Sequence, residues 1–138
     1  MPVVTAAAFS ADGWYMTGDV GVLDADGYLA ITDRKKDIII RGGENISAAE
    51  VEAAVYACDG VSEAAVFGVP DERLGEVPVA IVHLRDRCDL DEDQLRAFLH
   101  SRLAAFKVPA VLRFEPEPLP RLGTGKIDRV ALKQKYSA

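Results

Sequence analysis

Between residues 47 and 58 the apolar positions recur at helical spacing, with Val51, Ala54, Val55 and Cys58 on one stripe. Ser47 and Glu50 stand at capping-box spacing, Ile46 and Val51 at staple spacing, and Gly60 stands where the helix should stop. Residues 61–69 and 77–84 are the next strand candidates, joined by a polar loop over 70–76. A second helix is predicted from about Asp91, with Leu95, Phe98, Leu99, Leu103 and Phe106 on its inner face and Leu90 stapled to Leu95. Pro109 ends that segment. Residues 111–114 read as a third core strand, 115–125 as an extended loop with three prolines and two glycines, and 128–136 as a short helix.

The earlier part of the chain is patterned differently. Residues 1–18 lack periodicity and read as an irregular lead-in. Residues 20–23 and 28–32 are short strand-like runs joined by Asp24-Ala25-Asp26-Gly27, a hairpin signal. A charged cluster, Asp33-Arg34-Lys35-Lys36-Asp37, precedes the apolar run Ile38-Ile39-Ile40, which Gly42-Gly43 breaks. Helices and strands mix without regular βαβ alternation, which predicts an α+β class. The expected architecture is a small mixed sheet of about three core strands with two to three helices, preceded by a β-hairpin. The expected internal boundary lies near Lys36, because the coherent pattern begins only after it.

Composition narrows the function classes. A chain of 138 residues is long enough for one real core. Its net charge of -6 argues against a sequence-independent grip on nucleic acid, which needs clustered positive charge. No apolar run approaches the roughly 20 residues that span a bilayer, and the stretch after Met1-Pro2 is not expected to be a secretory leader. Cys58 and Cys88 make no disulfide framework and read as reduced thiols of a cytoplasmic protein.

Four segments carry candidate chemistry. Asp19, after the Thr17-Gly18 turn, is either a turn residue or an acceptor for a vicinal diol such as a ribose. In the 33–37 cluster, Arg34 is part of a solvated link or a planar fork for phosphate or ribose oxygens beside a flexible joint. Gly42-Gly43 is a tight turn, or a place where backbone approaches a ligand that a Cβ would repel. Gly123-Thr124-Gly125-Lys126 lacks the spacing of a phosphate loop. It leaves Lys126 at the tip of a glycine-hinged loop, either as surface charge or as an ammonium that stabilises a transferring phosphoryl group.

The order of these motifs is more specific than any one of them. Trp14-Tyr15-Met16-Thr17-Gly18-Asp19, Asp26-Gly27-Tyr28-Leu29, Asp33-Arg34-Lys35-Lys36-Asp37, Gly42-Gly43-Glu44-Asn45-Ile46 and Leu119-Pro120-Arg121-Leu122-Gly123-Thr124-Gly125-Lys126-Ile127 together resemble the adenylate-forming superfamily. That superfamily includes acyl- and aryl-CoA ligases, luciferases and peptide-synthetase adenylation domains. Val69-Pro70-Asp71 and Leu74-Gly75-Glu76 extend the likeness, which covers nearly the whole chain from about Thr5. The resemblance implies the C-terminal domain of an AMP-forming acid:CoA ligase for fatty or aromatic acids. Such an enzyme joins a carboxylate to AMP, then passes the acyl group to the thiol of CoA, and its small domain rotates between the two steps. Residues 1–35 would be the tail of the large N-terminal domain, hairpin included, and 36–138 the mobile lid.

Site roles follow by the same resemblance. Asp19 would bind the ribose hydroxyls of ATP, Arg34 ribose or phosphate, and Lys36 would lie at the hinge and near the nucleotide. Gly42, Gly43 and Glu44 would face CoA, and Lys126 would be the catalytic lysine of adenylation. ATP, CoA and a small carboxylic acid are the implied substrates, with Mg²⁺ held by the N-terminal domain; no metal site is expected in this chain. Two positions depart from the pattern. Ile40 stands where some relatives carry lysine, and Leu122 stands where Thr or another polar residue is common. The phosphate loop and acid pocket of the family belong to the N-terminal domain, so this chain alone is expected to be inactive. It reads as a piece of a longer enzyme or a natural remnant; the alternative is a non-catalytic binding module with the same fold.

Overall fold

The computed structural model describes residues 19–23, 25–27, 29–34 and 37–137; the lead-in, residues 1–18, lies outside them. The chain divides into two compact units, Met1–Lys36 and Asp37–Ala138. In the first, β1 (Asp19–Leu23) and β2 (Leu29–Arg34) form the predicted antiparallel hairpin. Its turn contains Gly27 at φ +84°.

The second unit runs β3 (Ile38–Arg41), β4 (Glu44–Ser47), α1 (Ala48–Tyr56), β5 (Val61–Asp71), β6 (Gly75–Leu84), α2 (Glu92–His100), a 3-10 turn (Ala105–Lys107), β7 (Val111–Phe114) and α3 (Arg129–Tyr136). Its strands make one sheet in the order β4-β3-β6-β5, with β7 parallel to β6 and the other pairs antiparallel. The class is α+β. The three expected core strands are β5, β6 and β7, and the β3–β4 hairpin enlarges the sheet to five.

β6 is the axis of this sheet. One edge pairs with β5 over its whole length; the other meets β3 at Gly75 and β7 over Val79 to Val82. Pro78 falls between those two partners. Its carbonyl accepts from the Ala110 N–H at 2.9 Å, so its ring nitrogen faces the same edge, where no ladder bond is required of it.

Alternate residues of β5 and β6 face opposite sides. Ala64, Val66, Ala80 and Val82 pack with Val51 and Val55 of α1 and Leu95 and Leu99 of α2. Ala65, Phe67, Val79 and Ile81 pack on the other side with Leu119 and Leu132 from the C-terminal segment. Both faces are covered, which is why residues 61–69 and 77–84 read as nearly unbroken apolar runs.

Local chemistry sets the ends. Ser47 Oγ accepts from the Glu50 N–H at 3.1 Å and starts α1; Asp91 and Gln94 form a reciprocal capping box on α2. Three expectations need correction. First, α2 stops at His100, well before Pro109, where the Ser101 hydroxyl donates to the Phe98 carbonyl at 2.6 Å and competes with helix continuation. Leu103 and Phe106 pack on the core from outside the helix. Second, β5 extends through Pro70 and Asp71, so the 70–76 loop shrinks to a tight turn; β5 is an edge strand, where proline is tolerated. Third, the strand candidates omit Glu44 to Ser47, which forms β4 between the Gly-Gly turn and the helix that Ser47 caps.

Gly60, the helix stop, has a second role. It holds φ +98°, and a Cβ there would stand 2.4 Å from Cys88 Sγ. Gly60→Ala is therefore expected to destabilise the chain by about 1–3 kcal/mol through backbone strain alone, with the sulfur clash added. Adding Cys88→Ala should recover only the clash. Urea unfolding of the single and double variants measures both parts, and an unchanged midpoint in Gly60→Ala would refute them.

Candidate functional site

The Gly-Gly turn is built by strand pairing. Gly42 and Gly43 join β3 to β4 at φ +56° and +83°, the pair of positive values a two-residue type I′ turn requires. The Gly42 N–H donates to the Leu74 carbonyl at 2.8 Å. Leu74 is itself fixed, because Asp71 Oδ1 accepts from the Leu74 N–H at 2.8 Å and the Arg73 N–H at 2.9 Å. Those two bonds, Leu74's first, hold the Asp71 carboxyl below its ordinary value. Glu76 Oε1 accepts from the Ile40 N–H at 3.1 Å and ties β3 to β6. A Cβ on Gly42 would lie 3.2 Å from Leu74 Cδ2, whereas a Cβ on Gly43 would meet nothing within 4 Å among the described residues. Glu44 is exposed and opens β4 opposite Arg41.

Lys126 sits on a closed hairpin. Arg121 and Ile127 form an isolated antiparallel bridge. The Leu122 N–H donates to the Lys126 carbonyl at 2.7 Å, and the Gly125 N–H to the Leu122 carbonyl at 2.9 Å. Backbone bonds thus close the loop, and Leu122 in place of a polar residue removes none of them. Leu119 and Ile127 root the hairpin in the core, while Lys126 is exposed and has no carboxylate partner among the described residues. Asp128 then caps α3 by accepting from the Ala131 N–H at 3.0 Å.

A carboxylate in β5 holds the base of this hairpin. Glu63 Oε2 accepts from the Leu119 N–H at 3.1 Å, and Glu63 Oε1 lies 3.2 Å from Arg121 Nη2. Arg121 Nη1 donates to the Gly125 carbonyl at 2.6 Å. On the free edge of β5, Glu52 accepts from the Val66 N–H and pairs with Arg129, which donates to the Val66 carbonyl. The bond to Glu52 pushes the Arg129 guanidinium above its ordinary value. Side chains thereby cover a strand edge that would otherwise be open to pairing.

The predicted residues fall into separate groups. In the first unit, the β1–β2 register sets Asp19 opposite Arg34. Lys36 lies outside the described residues. In the second, Gly42, Gly43 and Glu44 share one turn, and Lys126 belongs to another part of the sheet. The turn is tied to the Asp71 end of β5 and the lysine hairpin to Glu63; along the strand these anchors stand about 26 Å apart at roughly 3.3 Å per residue. Glu63 and Arg121 escaped the sequence reading. The available signal was one carboxylate interrupting the apolar run of residues 61–69. Among the described residues no three His, Cys, Asp or Glu side chains converge on a possible metal site, and no helix is long and apolar enough to cross a membrane.

Known proteins are similar to this chain in sequence and in fold. The family model of the AMP-binding enzyme C-terminal domain matches residues 50–126. The long-chain-fatty-acid–CoA ligase FadD13 of Mycobacterium tuberculosis is 46% identical over 99% of this chain and 27% of its own length. Feruloyl-CoA synthase of Amycolatopsis sp. is 47% identical over 91% of this chain and 25% of its own. The crystal structure of ATP-bound MatB from Rhodopseudomonas palustris superposes with a TM-score of 0.86 at 38% identity, covering 99% of this chain and 27% of that one. The chain thus spans about a quarter of the length of these relatives.

Proposed function

Because the chain belongs to the family of AMP-binding enzyme C-terminal domains found in acyl-CoA ligases, we propose that it is the mobile lid of a cytoplasmic, ATP-dependent, AMP-forming ligase. Its substrates are a fatty or aromatic carboxylic acid, ATP and CoA. Residues 1–35 close the large N-terminal domain, residues 36–138 form the lid, and Lys36 is the hinge.

In the first half-reaction a carboxylate oxygen attacks the α-phosphorus of ATP, and the bond to the β-phosphate oxygen breaks to release pyrophosphate. Lys126 bridges the carboxylate and the α-phosphate as negative charge builds between them, a preorganised cation acting where water is excluded. Asp19 accepts from the ribose hydroxyls and Arg34 contacts ribose or phosphate. In the second half-reaction the CoA sulfur attacks the acyl carbon and AMP leaves. Gly42 and Gly43, with Glu44 beside them, line the path of the pantetheine arm. By the family resemblance, Mg²⁺ belongs to the N-terminal domain.

One observation carries this reading. The exposed Lys126 hairpin and the exposed Gly-Gly turn are anchored toward opposite ends of β5, about 26 Å apart along the strand at roughly 3.3 Å per residue. A domain that offers one end for adenylation and the other for thioester formation accounts for both.

The test joins this chain to the N-terminal three-quarters of FadD13 in place of that enzyme's own C-terminal quarter. The fusion should release pyrophosphate in an acid-dependent way, and the chain alone should release none, because the transition state needs both domains closed on the substrates. Adenylation by the chain alone sinks the lid assignment. So does an inert fusion when the same N-terminal portion, rejoined to its own C-terminal part, is active.

A further inference from the structure

Resting on that reading of Lys126, we propose that Glu63 and Arg121 form a clamp that positions the lysine for adenylation. Glu63 is an unusual strand residue: its neighbours Val61, Ala64, Ala65 and Val66 are buried, and its own side chain is only 14% exposed. A carboxylate so placed needs partners that compensate its lost water. It has two, the Leu119 N–H at one end of the loop and the Arg121 guanidinium within it.

The guanidinium passes the constraint onward. One arm of Arg121 meets Glu63, and the other donates to the Gly125 carbonyl, one residue before Lys126. A planar fork holds two acceptors in fixed relation, which an ammonium does not. The Leu119 bond fixes where the hairpin leaves the core, and the Gly125 bond fixes its returning strand. Gly125 holds φ +88°, a conformation open to glycine, and the Arg121 bond adds a side-chain tie to the backbone bonds that already close the hairpin there. None of these contacts reaches a reacting atom; Glu63 and Arg121 are positioning residues. Lys126 itself stays exposed and unpaired among the described residues, free to enter a neighbouring site on a base that does not wander.

The clamp is tested in two experiments on the same variants, Arg121→Met and Glu63→Gln. Glu63→Gln keeps an oxygen acceptor for Leu119 while removing the charge that draws Arg121. In the chain alone, amide hydrogen exchange of Leu122 and Gly125 should accelerate by about tenfold, the scale of one charge-assisted bond. Exchange at Val66 and Ala80 in the sheet should stay unchanged. In the active fusion, adenylation kcat should fall by about tenfold to a hundredfold, as a displacement of ~1 Å produces. KM for ATP and acid should hold, as should thioester formation from supplied acyl-adenylate. Lys126→Ala is measured alongside. If it abolishes adenylation while both clamp variants keep full adenylation, the clamp is wrong and the function stands. If Lys126→Ala is itself active, both fall. Equal losses in the two half-reactions, or faster exchange throughout the sheet, would mean that Glu63 and Arg121 only maintain the fold.

Discussion

Lys126→Ala, in the fused enzyme, is expected to slow acyl-adenylate formation by about 10²–10³-fold, the usual cost of removing one preorganised donor from a developing negative charge. Thioester formation from supplied acyl-adenylate should be nearly unaffected, because the proposed second state presents the other end of β5. The fold gives little reason to expect collateral damage. Lys126 is exposed, its backbone carbonyl rather than its side chain closes the hairpin, and the neighbouring Ile127 supplies the apolar root. Single-turnover assays of each half-reaction separate the outcomes. Equal losses in both would mark a structural role, and a near-normal adenylation rate would return Lys126 to ordinary surface charge.

The sequence disclosed most of the fold where one local signal agreed with burial. α1 was legible because its cap, its staple and its Val51, Ala54, Val55 stripe all describe one helix. β5 and β6 were legible because a sheet covered on both faces needs unbroken apolar runs. β4 was not, because Glu44, Asn45 and Ser47 carry no strand pattern and only pairing with β3 extends them. The end of α2 was misplaced because Leu103 and Phe106 continue the helical spacing while packing from outside the helix. At the candidate site, Lys126 and the Gly-Gly pair were read from motifs that lie within a few residues. Glu63 gains meaning only from Leu119 and Arg121, which the chain delivers to it long after β5 is finished. Such a pairing belongs to topology rather than to any sequence window.

Gly43→Leu in the fused enzyme should preserve adenylate formation and suppress CoA-dependent turnover, with acyl-adenylate accumulating on the protein. The position is well suited to the question. At Gly42 a new side chain would meet Leu74 within this chain, confusing any effect on a ligand; at Gly43 the space around a Cβ is open among the described residues. Obstruction caused by bulk at Gly43 would therefore be felt by what arrives from outside. Backbone strain is the competing explanation, since φ +83° costs an L residue roughly 1–3 kcal/mol. Gly43→Ala carries most of that strain with little bulk, and Gly43→Asn carries bulk in a residue that tolerates positive φ. If the turn faces the pantetheine arm, CoA turnover should fall in the order Ala, Asn, Leu, following size, while pyrophosphate release stays level. Equal damage from alanine and leucine, with asparagine nearly normal, would instead assign the effect to turn geometry. No loss in any of the three would leave Gly42-Gly43 as a hairpin turn alone, and the proposed route of CoA across this end of the sheet would have to be abandoned.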